Sequence, residues 1–182
     1  FLTNNVTFIA INGLVGLALA PVAWMATLPV MGYVVGGALS TALVARSQHA
    51  LGRQRAFQLG LVVAGLSALL CAYAAVSRNF WLLCLATLVA GYYNANAGLY
   101  RFAAAELTGK EGREKAVSWV MAGGLIGAIA GPNLAASTRN LTEVPFAGAY
   151  LALAAVAVLG MVLMAFLKFP PVPAPAAGDS GR

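Results

Sequence analysis

The chain has 182 residues, of which 61% are hydrophobic and 9% charged, with a net charge of +6 and a mean hydropathy of +0.84. Soluble domains carry about 25% charged residues to keep their surfaces in water, so eleven Lys/Arg and five Asp/Glu exclude a water-facing globule of this length. The basic residues sit in short gaps between apolar runs, without interleaved exposed aromatics, which excludes a nucleic-acid surface.

A helix needs about 20 apolar residues to cross the hydrocarbon core of a bilayer, and the chain holds six such runs. They are expected at about 2–18, 22–44, 57–76, 80–100, 116–136 and 146–167. The first run lacks a basic leader and contains Asn4, Asn5 and Asn12, so it is not a signal peptide. The chain opens on Phe1 rather than Met, and is expected to begin inside a longer protein. Cys71 and Cys84 read as small apolar side chains rather than a disulfide. The connections are short, so consecutive helices are expected to be antiparallel neighbours. Residues 1–168 then form an all-α, polytopic membrane helix bundle, and 169–182, rich in Pro, Ala and Gly, form a cytoplasmic linker tail. Arg46, Arg53, Arg55, Arg101, Lys110, Arg113, Lys115, Lys168 and Arg182 fall on one side of this bundle, and Arg78 and Arg139 on the other. Nine against two puts the first group in the cytoplasm.

The six spans repeat a recipe of three. The first and fourth carry amides: Asn4, Asn5 and Asn12 in one, Asn94 and Asn96 in the other. The second and fifth carry glycines four apart with a proline: Gly32 and Gly36 with Pro29, then Gly123, Gly127 and Gly131 with Pro132. The third and sixth are nearly featureless. Amides in hydrocarbon seek a partner or a wet cavity, and glycines at this spacing let helix backbones approach closely. An odd number of spans per copy makes the two copies inverted repeats.

Several loops then become specific. Leu51-Gly52-Arg53-Gln54-Arg55 resembles the end of the signature second–third loop of the major facilitator superfamily, whose core is an acid, a base, any residue and Gly-Arg-Arg. Ala105-Glu106-Leu107 and Arg113-Glu114-Lys115-Ala116 are similar to that family's fourth–fifth loop. Gly127-x3-Gly131-Pro132 resembles the Gly-Pro motif of its proton-coupled antiporters. The chain departs from these patterns in three places: His49 stands where the signature acid belongs, Ala135-Ala136 follow Pro132 where glycines are usual, and Ser118 occupies the motif's earlier glycine position. The arginine of many proton-coupled members is also missing from span four.

The resemblance covers nearly the whole chain and implies the N-terminal six-helix half of a secondary active transporter. Such a half works with a C-terminal six-helix half that this sequence does not contain. It would move a small-molecule solute by alternating access, in contact with membrane lipid, in a bacterial inner membrane, with the Gly-Pro ladder favouring an exporter. The family's first and fourth helices line the central cavity, which makes Asn5, Asn12, Thr87, Tyr93, Asn94 and Arg101 the candidate substrate residues. Gly52, Arg53, Arg55 and Glu106 are the candidate cytoplasmic gating set, with Arg53 and Arg55 pairing Glu106 or Glu111. Gly123, Gly127, Gly131 and Pro132 are the candidate packing motif. No acid lies inside a span, so a coupling acid is expected in the other half. No phosphate loop, metal-ligand cluster or nucleophile–base set is present, so neither an enzyme nor a cofactor is expected. The rival readings are a transporter-fold protein that senses or scaffolds, and a six-helix chain acting as a homodimer.

Overall fold

A computed structural model describes residues 2–107, 112–138 and 144–166. In chain order it places α1 (Leu2–Leu19), a 3-10 turn (Ala23–Thr27), α2 (Leu28–Leu51), α3 (Arg53–Val76), α4 (Phe80–Ala97), α5 (Tyr100–Leu107), α6 (Arg113–Thr138) and α7 (Ala147–Phe166). Five segments are long and apolar enough to cross a membrane: Ala23–Leu51, Arg53–Val76, Phe80–Ala104, Glu114–Thr138 and Ala147–Phe166; Asn4–Leu19 is a shorter apolar helix. The described residues contain no strand, so the chain is an all-α, multi-pass membrane bundle. The expected tail from 169 lies outside the described residues.

Local chemistry sets the ends of these helices. Pro29 stands in the first turn of α2, where its missing N–H costs nothing. The Asn79 side chain caps α4 by accepting from the Leu82 backbone N–H at 3.0 Å, satisfying one of the orphan donors of a helix start. The second–third connection, expected as a loop, is helical almost throughout. Gly52 alone ends α2 and opens α3, at φ +78°. Its N–H donates to Gln48 O at 3.1 Å and its carbonyl accepts from Ala56 N at 3.0 Å. A Cβ on Gly52 would meet nothing within 4 Å, so the position needs glycine for its left-handed backbone rather than for space. The expected boundary failed because hydropathy marks where a helix leaves the oil, whereas Arg46, Gln48 and His49 continue it into the polar zone. Span four is likewise longer than expected. At Gly98 and Leu99 the backbone bonding changes from Gly98 N to Asn94 O (3.2 Å) to Leu99 N to Asn96 O (3.1 Å), a turn that separates α4 from α5.

Packing only partly follows chain order. The main pairings are α2 on α4, α3 on both α7 and α4, and α1 on α6, whereas the consecutive helices α1 and α2, and α2 and α3, touch much less. Exchanging the first three spans with the last three turns the α2–α4 pair into the α6–α1 pair and leaves the α3–α7 pair unchanged, as a two-fold repeat requires. The match is incomplete, since α1 on α7 is slighter than its counterpart α4 on α3.

The core between these rods contains Phe8, Ile11, Tyr33, Cys71, Leu83, Tyr150 and Leu153. The exterior is just as apolar: Leu39 is 70% exposed, Leu125 69% and Ile126 71%. Such a surface is stable only against lipid or another apolar body. Trp24, Tyr73 and Trp81, all exposed, gather at the end opposite Gly52, where interfacial aromatics belong.

Candidate functional site

Asn5 and Asn12 share a face of α1, as a spacing of seven dictates, but the structure gives them different surroundings. Asn12 is fully buried. Its Nδ2 donates to Phe8 O at 2.8 Å, and Tyr150 Oη donates to its Oδ1 at 2.7 Å. Both ends of the amide are engaged, so Asn12 cross-links α1 to α7. Asn5 is half-buried, and its Oδ1 has no hydrogen-bond partner. Replacing Tyr150 with Phe should strand the Asn12 oxygen and cost about 1–2 kcal/mol, the order of one unmade buried hydrogen bond. A thermal shift of the detergent-solubilised protein checks this.

On α4, Thr87 is fully buried and donates to Cys84 O at 2.9 Å. It packs on Gly32, whose hypothetical Cβ would lie 3.1 Å from Thr87 Oγ1. Tyr93 is buried too, with its hydroxyl in hydrogen-bonding reach of Asn4. Together with Phe8 and Tyr33 it borders a void of about 10 Å³, room for about one water. Thr87 and Tyr93 therefore lie in the packed interior of this half. Small residues are the reason: Gly32 and Gly91 bring the backbones so close that the stripe between them seals.

Asn94 is different. It is half-buried and lines a groove of about 320 Å³ between α2 and α4, with Val34, Gly37, Ala38, Thr41 and Leu99 among its walls. Arg101 lies beyond the Gly98–Leu99 turn, on α5 rather than α4, is exposed, and holds its guanidinium 4.8 Å from the Phe102 ring centroid.

Asn96, noted in the sequence only as one of the amides of the fourth span, is fully buried. Its Oδ1 accepts from Gln48 Nε2 at 3.0 Å, and its Nδ2 donates to Ala56 O. It sits in the notch left by Gly60, where a Cβ would collide with the amide. Beside it, Tyr92 Oη donates to Ser47 Oγ at 2.8 Å, which donates onward to Val44 O at 2.8 Å. One side chain thus joins α2, α3 and α4 around the Gly52 elbow. The available signal was a polar residue on each of three helices at similar depth, which becomes meaningful only once the pairing is known.

At the same end, Arg53 is half-buried and engaged, and Arg55 is exposed. The side chain of Glu106 and the whole of Glu111 lie outside the described residues, and so does their expected pairing with the arginines. Gln54, between the two arginines, caps α7 by donating to Met164 O at 3.3 Å and Ala165 O at 3.4 Å. On α6 the glycine ladder is displaced. Gly124, Gly127 and Gly131 are buried, whereas Gly123 is exposed with open space where a Cβ would go. Helical periodicity explains the burial pattern, since 124, 127 and 131 follow the i, i+3, i+7 face turned to α1. Pro132 sits inside α6 and is exposed.

A family model described as Major Facilitator Superfamily matches residues 1–182. The chain is 36% identical over 165 residues to "Riboflavin transporter RfnT" of Brucella anthropi, covering 90% of this chain and 42% of that protein. It is 32% identical over 152 residues to "Uncharacterized MFS-type transporter YdeG" of Bacillus subtilis, covering 81% and 35% respectively. A second Bacillus subtilis relative, "Uncharacterized MFS-type transporter YddS", is 28% identical over 153 residues. The chain spans well under half the length of these curated relatives. No solved structure matches. Six apolar rods in the order and pairing described, the glycine elbow at 52 and a family match along the full length converge on one assignment: the chain belongs to the major facilitator superfamily.

Proposed function

We propose that this chain is one six-helix half of a secondary active transporter that carries a small solute by alternating access, and that the solute is flavin-like. The observation that carries the reading is Asn94, an amide on an apolar helix that opens onto a groove while its neighbour amides are locked in packing. An embedded polar group of this kind marks a solute path more often than a lipid face. The relative named as a riboflavin transporter supports the solute class. A second six-helix half would cover the exposed faces of α2 and α6, where Leu39, Leu125 and Ile126 stand in the open. The basic end around Arg46, Arg53 and Arg55 would face the cytoplasm, and the bacterial relatives support an inner membrane. Arg53 and Arg55 would close that end against Glu106, with the coupling acid in the other half. No chemistry is performed on the solute.

The test is flux. The complete transporter carrying this chain, reconstituted in vesicles, should show saturable riboflavin counterflow above that of empty vesicles. Absence of riboflavin net flux and counterflow would overturn the flavin-like solute class, and absence of flux for a panel of small solutes as well would overturn the transport reading in favour of sensing or scaffolding. Export is the directional reading, favoured by the Gly127-x3-Gly131-Pro132 series. Accumulation in inside-out but not right-side-out vesicles supports it, and the reverse refutes it.

A further inference from the structure

Building on the flavin-like reading, we infer that the groove between α2 and α4 is the subsite for the imide edge of a flat heteroaromatic solute, and that Asn94 reads that edge.

The groove is held open from two levels. Gly36 and Gly37 meet Gly91 backbone to backbone, and Tyr92 to Ser47 (2.8 Å) and Gln48 to Asn96 (3.0 Å) tie the same two helices nearer the basic end. Two fixed crossings leave little freedom for α2 and α4 to slide shut, so the site is preorganised. Its volume of about 320 Å³ reaches the lower end of ligand pockets, about 300–1,000 Å³. Val34, Ala38 and Leu99 give it apolar walls of the kind a ring system requires.

The polar groups are few and oriented. Thr41 spends its proton on Gly37 O at 3.3 Å, so toward the groove it is an acceptor. Among the described residues no hydrogen bond reaches the Asn94 side chain. Gly37 keeps the amide clear, because a Cβ there would come within 3.2 Å of Asn94 Nδ2. An amide without a partner between apolar walls is costly, and it offers one acceptor and one donor side by side. The complement is a ring N–H next to a ring carbonyl: the N–H donates to Asn94 Oδ1, and the carbonyl accepts from Nδ2. A cyclic imide has this edge, as do flavins and other pyrimidine-dione rings.

The experiment uses the complete transporter in vesicles, with riboflavin flux competed by lumiflavin and by its N3-methylated form. The wild type should prefer lumiflavin by about ten-fold or more, the order expected of a two-bond edge contact. Asn94→Leu should raise the KM for riboflavin by a similar factor, leave the maximal rate within about two-fold, and abolish the discrimination against N3-methylation. Thr41→Cys should react with a membrane-impermeant thiol reagent and be protected by riboflavin. If flavin is carried but Asn94→Leu keeps both KM and discrimination, the groove assignment falls while the transport reading survives. If Thr41→Cys stays unreactive with and without flavin, lipid or the other half fills the groove, and the assignment is again overturned. If the wild type carries no flavin, the solute class and the groove assignment fall together.

Discussion

Replacing Gly91 by alanine should break the α2–α4 crossing and cost about 3 kcal/mol or more, the upper end of overpacking penalties. The added Cβ would fall well inside van der Waals contact of the Gly36 carbonyl carbon and the Gly37 nitrogen. Backbone cannot rotate away as a side chain can, so the helices must separate along their whole interface, and Thr87 and Gly32 separate with them. Gly36→Ala should behave alike, because its Cβ would strike the Leu88 carbonyl. Gly98→Ala is the contrast. Its Cβ would make only ordinary contacts, at 3.5 Å to Ala95 O and 3.6 Å to Asn94 O, and helix propensity favours alanine by up to about 1 kcal/mol. Thermal melting in detergent reads the difference: Gly91→Ala should lose about 6–12 °C at the usual 2–4 °C per kcal/mol for this size, with Gly98→Ala near the parent. Equal melting of all three variants would refute the close crossing.

The apolar runs announced six rods because lipid-facing helices need length and little else, and the rods are present. What the sequence could not show was which polar residues are already spoken for. Asn94 and Asn96 are two residues apart and therefore about 200° apart around one helix. One opens on a groove and the other is buried against Gly60, yet the side chains are identical. The deciding information lies on α2 and α3, 40 or more residues away in the chain. The engagement of Asn12 is equally hidden, since its partner Tyr150 is on the last helix. Gly123 fits the four-residue spacing with Gly127 and Gly131, yet Gly124, three before Gly127, is the one buried on the face turned to α1. The Gly52 elbow was legible as a motif but not as geometry: a polar stretch reads as loop when only hydropathy is consulted.

Removing the Asn96 amide should loosen the end of the bundle that holds the elbow. In Asn96→Leu the branched four-atom outline is kept although the methyl groups are bulkier than the amide, so some overpacking adds to the lost hydrogen bonding: the Gln48 Nε2 donor loses its acceptor and the Ala56 carbonyl loses its second donor. Interhelical hydrogen bonds in membrane proteins average about 0.6 kcal/mol, but a donor stranded in a packed site costs about 1–3 kcal/mol, and the sum should be near 2 kcal/mol. Melting should fall by about 4–8 °C. Gln48→Leu removes the stranded donor, so the double variant Gln48→Leu/Asn96→Leu should recover part of that loss, a non-additivity of the kind neighbouring partners show. Strict additivity would mean that the two side chains do not act together. The same variant also tests the role of the missing signature acid. With His49 in its place, the neutral Gln48–Asn96–Ala56 bridge becomes the tie between the basic ends of α2, α3 and α4. Bonds made of amides rather than ions do not weaken as salt screens charges, so the stability difference between the parent and Asn96→Leu should be the same at low and high ionic strength, whatever the neighbouring arginines contribute.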